Sequence, residues 1–127
     1  MKFLCLAYEE QAVLDALTPP EWHELRRETL EYVDGLRSQG YLIDTRPLQS
    51  ATTASTVRVR SGHPSITDGP FAETKEQLGG YFLIEAADVD EALRIAAAWP
   101  SARLGAIEVR PIEEELRAES RYGASGT

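Results

Sequence analysis

Two stretches of this chain alternate with apolar residues on both sides. Residues 2–8 set Phe3, Cys5 and Ala7 against Leu4, Leu6 and Tyr8, and the run Gly79 to Ala86 repeats the pattern. A strand of that kind is one covered on both faces. Between them the period changes to helical. After a polar loop, Thr18-Pro19-Pro20-Glu21 has the form of a capping box, with proline at the first helical position. Trp22, Leu25, Thr29, Tyr32, Val33 and Leu36 then fall on one stripe at spacings of three and four, and Gly40 closes the helix near Gln39.

The remaining elements follow in the same way. Residues 41–49 are expected to be extended, with Pro47 confining them to an edge or an irregular end. Residues 56–60 form a strand that turns through Ser61-Gly62-His63-Pro64 and pairs with residues 65–68. Asp88 with Glu91 opens a second helix carrying Val89, Ala92, Leu93, Ala96 and Ala97 inward, and Pro100 ends it past Trp99. A last strand runs from Leu104 to Pro111. One domain, 1–112, is expected, followed by a charged, then Gly- and Ser-rich tail over 113–127 that should be mobile.

The order is β-α-β, a hairpin, then β-α-β. This predicts an α+β fold, a ferredoxin-like split βαβ sheet with an extra β-hairpin. Right-handed crossovers place both helices on one face of that sheet. Yet two strands are apolar on both faces, so the uncovered face needs a cover that the chain does not supply. A second copy packed sheet to sheet answers this, giving a twofold homodimer with room for a ligand at its seam or at the hairpin end.

Composition narrows the setting. The chain has 127 residues, 43% of them hydrophobic, and no apolar run near the roughly 20 needed to span a bilayer. Met1 to Ala7 reads as a core strand rather than a signal segment, because Tyr8-Glu9-Glu10 stands where a small-residue cleavage site would be. The expected location is the cytoplasm, and a single cysteine, Cys5, agrees with a reducing compartment. A formal charge of −8 argues against direct binding to nucleic acid or to an anionic membrane.

Candidate chemistry gathers at Thr67-Asp68-Gly69-Pro70-Phe71-Ala72-Glu73-Thr74-Lys75-Glu76, a stiff turn that presents an aromatic ring and several polar groups. Asp68 is either a turn-former bonding its own backbone or a proton-transfer group. His23, in the first turn of the first helix, is the second catalytic candidate. Glu73 and Lys75 are a solvated loop or part of a binding site, with Lys75 or Arg58 orienting an anionic ligand. Tyr8, Phe71 and Tyr81 are candidate pocket walls. Arg58 and Arg60 share a face of the hairpin and can pair with Glu73 or Glu76. His63 sits in a turn, and the two histidines share no ligand spacing, so no metal site is expected. No cofactor is expected either, because no phosphate-cradling loop is present. The Gly79-Gly80 doublet suits a close backbone approach.

The run Asp68-Gly69-Pro70-Phe71-Ala72-Glu73-Thr74-Lys75-Glu76-Gln77-Leu78-Gly79-Gly80-Tyr81 closely resembles the signature of YCII-related, DGPF-domain bacterial proteins. The opening Met1 to Leu6, Ala51 to Arg58 and Gly105 to Pro111 match as well. The resemblance implies a dimeric α+β barrel. It also implies kinship with muconolactone-isomerase-type and dehalogenating enzymes, and a catalytic His–Asp pair. His23 falls where that histidine would lie. Residues 97–100 hold no matching aspartate, so the pair that the resemblance implies is incomplete here unless Asp68 replaces that partner in space. Some relatives of this kind are linked to extracytoplasmic-function sigma factors. The expected function is therefore a homodimer binding a small organic molecule, with acid–base chemistry of the isomerase or lyase kind. The competing expectation is a non-enzymatic binding or regulatory module associated with transcription machinery.

Overall fold

The structure, a computed structural model, describes residues 1–114, so the expected mobile tail lies outside the described residues from 115 onward. Strand β1 (Lys2–Glu9) occupies an inner position between β5 (Gln77–Glu85) and β6 (Gly105–Pro111), and β2 (Leu42–Pro47) pairs with the far side of β5. All pairings are antiparallel, and the order β2-β5-β1-β6 is that of a ferredoxin-like sheet. The two strands read as apolar on both faces are the two inner strands. The extra hairpin, β3 (Ser55–Arg60) with β4 (His63–Asp68), forms a separate two-stranded ribbon.

Helix α2 (Pro19–Ser38) starts as its sequence dictates. The Thr18 hydroxyl accepts from the Glu21 amide at 3.3 Å, and the Glu21 carboxylate accepts from the Thr18 amide at 2.9 Å. It ends in a Schellman pair, with the amides of Gly40 and Tyr41 donating to the carbonyls of Arg37 and Leu36, and Gly40 takes the required positive φ of 83°. Helix α3 (Val89–Ala97) is capped by Asp88, which accepts from the Glu91 amide at 2.9 Å.

Both helices cover one face of the sheet. Phe3, Cys5, Phe82 and Ile84 are fully buried there, against Val33 and Leu36 of α2 and Ala92, Ile95 and Ala96 of α3. Trp99 closes the end of this core, stacked on Phe82 at 3.9 Å between centroids and meeting Tyr32 edge-on at 5.9 Å. The Tyr32 hydroxyl satisfies itself by donating to the Ile95 carbonyl at 2.8 Å. Burial pushes the Cys5 thiol up to about 12, so it stays protonated and packs as a small hydrophobe.

On the opposite face, Leu4, Leu6, Tyr8, Tyr81 and Leu83 alternate with these core residues, point away from α2 and α3, and stay partly exposed. The hairpin leaves more apolar surface open. Val57 pairs with Ile66 and Val59 with Pro64, so these side chains share one side of the ribbon, where Val57, Val59 and Ile66 are 60%, 57% and 71% exposed.

Several local expectations are corrected. Residues expected as loop form a short helix, α1 (Gln11–Asp15), with Val13 and Leu14 half-buried and Gln11 bonded to Asp15 at 2.8 Å. The hairpin turn is tighter than a four-residue turn. Ser61 and Gly62 take φ of 51° and 76°, the paired positive values of a two-residue hairpin loop, so β4 begins at His63. Strand β5 starts at Gln77. Trp22 is 46% exposed, because the helical stripe extends past the part of α2 that meets the sheet. On α3, Val89, Leu93 and Ala97 are exposed while Ile95 is buried, which rotates the inward stripe from the expected one.

Candidate functional site

The signature loop is tied at both ends. As the chain leaves β4 at Asp68, the Gly69 amide donates to the Ala54 carbonyl at 2.7 Å and the Gly69 carbonyl accepts from the Thr56 hydroxyl at 2.9 Å. At the other end, the Gln77 side-chain amide donates to the Ala72 and Thr74 carbonyls at 2.8 and 2.9 Å. The Thr74 hydroxyl donates to the Glu76 carbonyl at 2.6 Å. Lys75 reaches across to β1's end, with Nζ 3.5 Å from Glu10 Oε1. These bonds hold a segment with little apolar burial in one shape.

The loop forms one wall of a cleft of about 350 Å³. Glu9 at the end of β1 and Gln11 at the start of α1 line it, together with Ser50, Ala51 and Thr52 at a 3-10 turn and Gln77 and Leu78 of β5. Its volume lies at the lower end of small-molecule sites. The loop contributes Pro70, Glu73, Thr74 and Lys75.

Glu9 is the group that sequence reasoning missed. In the β1–β5 pairing, Ala7 faces Gly80 and Tyr8 faces Leu78, so Gly79 is an extra residue in β5, a bulge. The Glu9 carboxyl group lies over Gly79, in the space that a side chain there would fill. It makes no hydrogen bond or ion pair among the described residues. Burial raises its pKa above the usual carboxylate range, since no cation offsets the lost water. The available signal was the glycine doublet. Gly80 has a backbone reason to be glycine, with the Arg46 carbonyl 2.9 Å from where its Cβ would lie, while Gly79's reason is the Glu9 side chain.

The structure brings some expected site residues together and separates others. Glu73 and Lys75 line the cleft. Phe71 is 75% exposed and carries the Arg58 guanidinium 5.0 Å above its ring, so Arg58 stacks on an aromatic rather than pairing with a carboxylate. Arg60 donates to the Val59 carbonyl. Tyr8 and Tyr81 lie on the open face of the sheet. There the Tyr81 hydroxyl donates to Asp44 Oδ2 at 2.8 Å, a bond that holds the Asp44 carboxyl below its ordinary range and the Tyr81 phenol above its own. Asp68 and His23 are both exposed and neither lines the cleft. The Asp68 side chain makes no bond to its own turn among the described residues.

A second groove, of about 370 Å³, runs between α2 and Pro100. Its carboxylates are already answered, Glu28 by Arg103 at 2.8 Å and Glu31 by Arg27 at 2.7 Å. Among the described residues no group of three His, Cys, Asp or Glu side chains is placed to hold a metal ion, and no helix is long and apolar enough to cross a membrane.

The sequence matches the YCII-related domain over residues 1–116. An uncharacterised protein of Rhizobium meliloti (strain 1021) is 36% identical over 114 residues, which covers 88% of this chain and 92% of that protein.

Proposed function

The chain belongs to the YCII-related family, and from that premise we propose a cytoplasmic homodimer that binds a small organic molecule in the cleft beside the signature loop and performs acid–base chemistry of the isomerase or lyase kind. The observation that carries the reading is the cleft itself. The most distinctive segment of the sequence spends its polar groups on its own rigidity and, so fixed, walls a small-molecule-sized space with an unpaired carboxylate at its edge. The dimer is supported by the partly exposed apolar side chains of the open sheet face and by the exposed Val57, Val59 and Ile66 of the hairpin.

A thermal-shift screen against small organic acids, amines, lactones and enol-type compounds tests the binding, because a bound ligand raises the apparent stability by mass action. Compounds that raise the melting temperature of the wild type support the reading, and a screen without one removes its basis. Sedimentation tests the dimer, which a monomer at micromolar concentration would exclude. Where turnover is found, Asp68→Asn separates two assignments. Loss of activity with an intact fold puts proton transfer on Asp68, and retained activity puts it on the groups that line the cleft.

A further inference from the structure

We propose that Glu9 is the ligand-anchoring residue of this cleft and that the cleft selects small organic cations, primary amines above all. The inference rests on the small-molecule reading of the site and adds to it the class of ligand.

The cleft lining carries an excess of negative charge. Glu9 and Glu73 bring two carboxylates to the lining against one ammonium, that of Lys75. Lys75 is 82% exposed and pairs at 3.5 Å with Glu10, which lies outside the lining. An anionic ligand would enter a lining with excess negative charge, whose one ammonium already faces the Glu10 carboxylate. A cationic ligand would meet an unpaired carboxylate.

Hydrogen-bond inventory points the same way. The amide nitrogen of Gln77 is committed to the Ala72 and Thr74 carbonyls, which leaves its oxygen as an acceptor. Ser50 and Thr52 share a hydrogen bond of 3.0 Å with each other. The unspent capacity in the lining is therefore mostly acceptor: both carboxylates and the Gln77 oxygen. An ammonium has three donors and no acceptor, which suits such a lining. Leu78, Pro70 and Ala51 supply the apolar contact that a short hydrocarbon tail needs.

A half-buried carboxylate without a partner costs stability, and the bulge at Gly79 makes the space in which this one sits. A ligand ammonium at Glu9 turns that cost into a charge-assisted bond, so the differential interaction favours the occupied cleft.

The test uses three probes with one tail and three head groups: n-butylammonium, 1-butanol and butyrate. Each is titrated into isotopically labelled wild-type protein at pH 7, with resonances of Glu9, Thr52, Gln77 and Leu78 followed by NMR. The expected result is saturable, millimolar binding of butylammonium at these residues, at least tenfold tighter than butanol or butyrate. Glu9→Gln should weaken it at least tenfold, and Gly79→Ala, which evicts the carboxylate without removing it, should do the same. Equal binding of butylammonium to wild type and both variants overturns the assignment of Glu9. Tighter binding of butanol or butyrate, or no butylammonium binding, overturns the cation preference. Both of these outcomes leave the small-molecule reading to the wider screen, so the two can fail separately.

Discussion

Replacing Gly79 with alanine puts a methyl group where the Glu9 carboxyl group now lies. What the methyl meets decides the magnitude. The obstructing atoms are the end of a flexible, half-exposed side chain with no bond to break among the described residues, so Glu9 can rotate away. Gly79 is not at positive φ, so alanine also restricts the unfolded chain, a gain of about 0.4–1 kcal/mol. The net change in stability should stay within about 1 kcal/mol of zero. Gly105→Ala is the contrast. Its Cβ would run into the Tyr8 carbonyl oxygen, which is backbone of an inner strand and cannot rotate aside, so β1 and β6 must separate where Glu9 pairs with Gly105. Overpacking of that kind should cost about 2 kcal/mol or more. Urea unfolding followed by tryptophan fluorescence gives both values, provided the slope with denaturant is unchanged. A carboxyl ¹³C titration of Gly79→Ala should show Glu9 returned to the ordinary glutamate range. If Gly79→Ala costs as much as Gly105→Ala, the carboxylate is locked in place and the account of the bulge fails. If stability holds but the Glu9 titration does not move, burial over Gly79 is not the cause of the shift.

Three further outcomes are expected. Trp99→Ala removes the ring that stacks on Phe82 and braces Tyr32, and should cost about 3–5 kcal/mol in urea unfolding followed by far-UV circular dichroism. Glu9→Gln should be modestly stabilising at neutral pH, since it removes a half-buried charge that has no partner among the described residues. Burial raises the folded-state pKa of Glu9 above its unfolded value, so its contribution is most favourable below the unfolded pKa and is lost as pH rises through the folded one; the advantage of the variant should therefore vanish at pH 3. Asp44 has the opposite sign. The Tyr81 hydroxyl lowers its folded-state pKa, so its contribution is present above the unfolded pKa and is lost as pH falls through the folded one, and Tyr81→Phe should flatten that acid-side loss in melts between pH 6 and 2.

The legible parts of this chain were those governed by local chemistry or strong periodicity. The capping box at Thr18 and Glu21 formed as spaced, because its two bonds depend only on a four-residue geometry. The inner strands were legible because their apolar residues run without a break, burying Phe3, Cys5, Phe82 and Ile84 under the helices and leaving Leu4, Leu6 and Leu83 on the open face. Helix α1 was not, since its five residues carry no side-chain cap and its Val13 and Leu14 gain their reason only from the folded surroundings. Trp22 was misplaced because a helical stripe records spacing and not the point where the facing sheet ends. Pro64 hid the start of β4, being a residue tolerated only in an edge strand, which both strands of an isolated ribbon are. Of the candidate site, the loop stood out in the sequence by its density of polar groups. Glu9 was not, because an acidic residue at a strand end reads as a terminator, and its burial depends on a bulge in a strand distant in sequence.

In the proposed site the signature loop and Glu9 together make the ligand-binding cleft. The most direct measurement is a fragment screen against the labelled full chain, with binding mapped residue by residue from amide shifts. The expected map centres on Glu9, Thr52, Lys75, Gln77 and Leu78. A map centred on Tyr8 and Tyr81, or on the groove formed by Tyr32, Gly35 and Pro100, would contradict it.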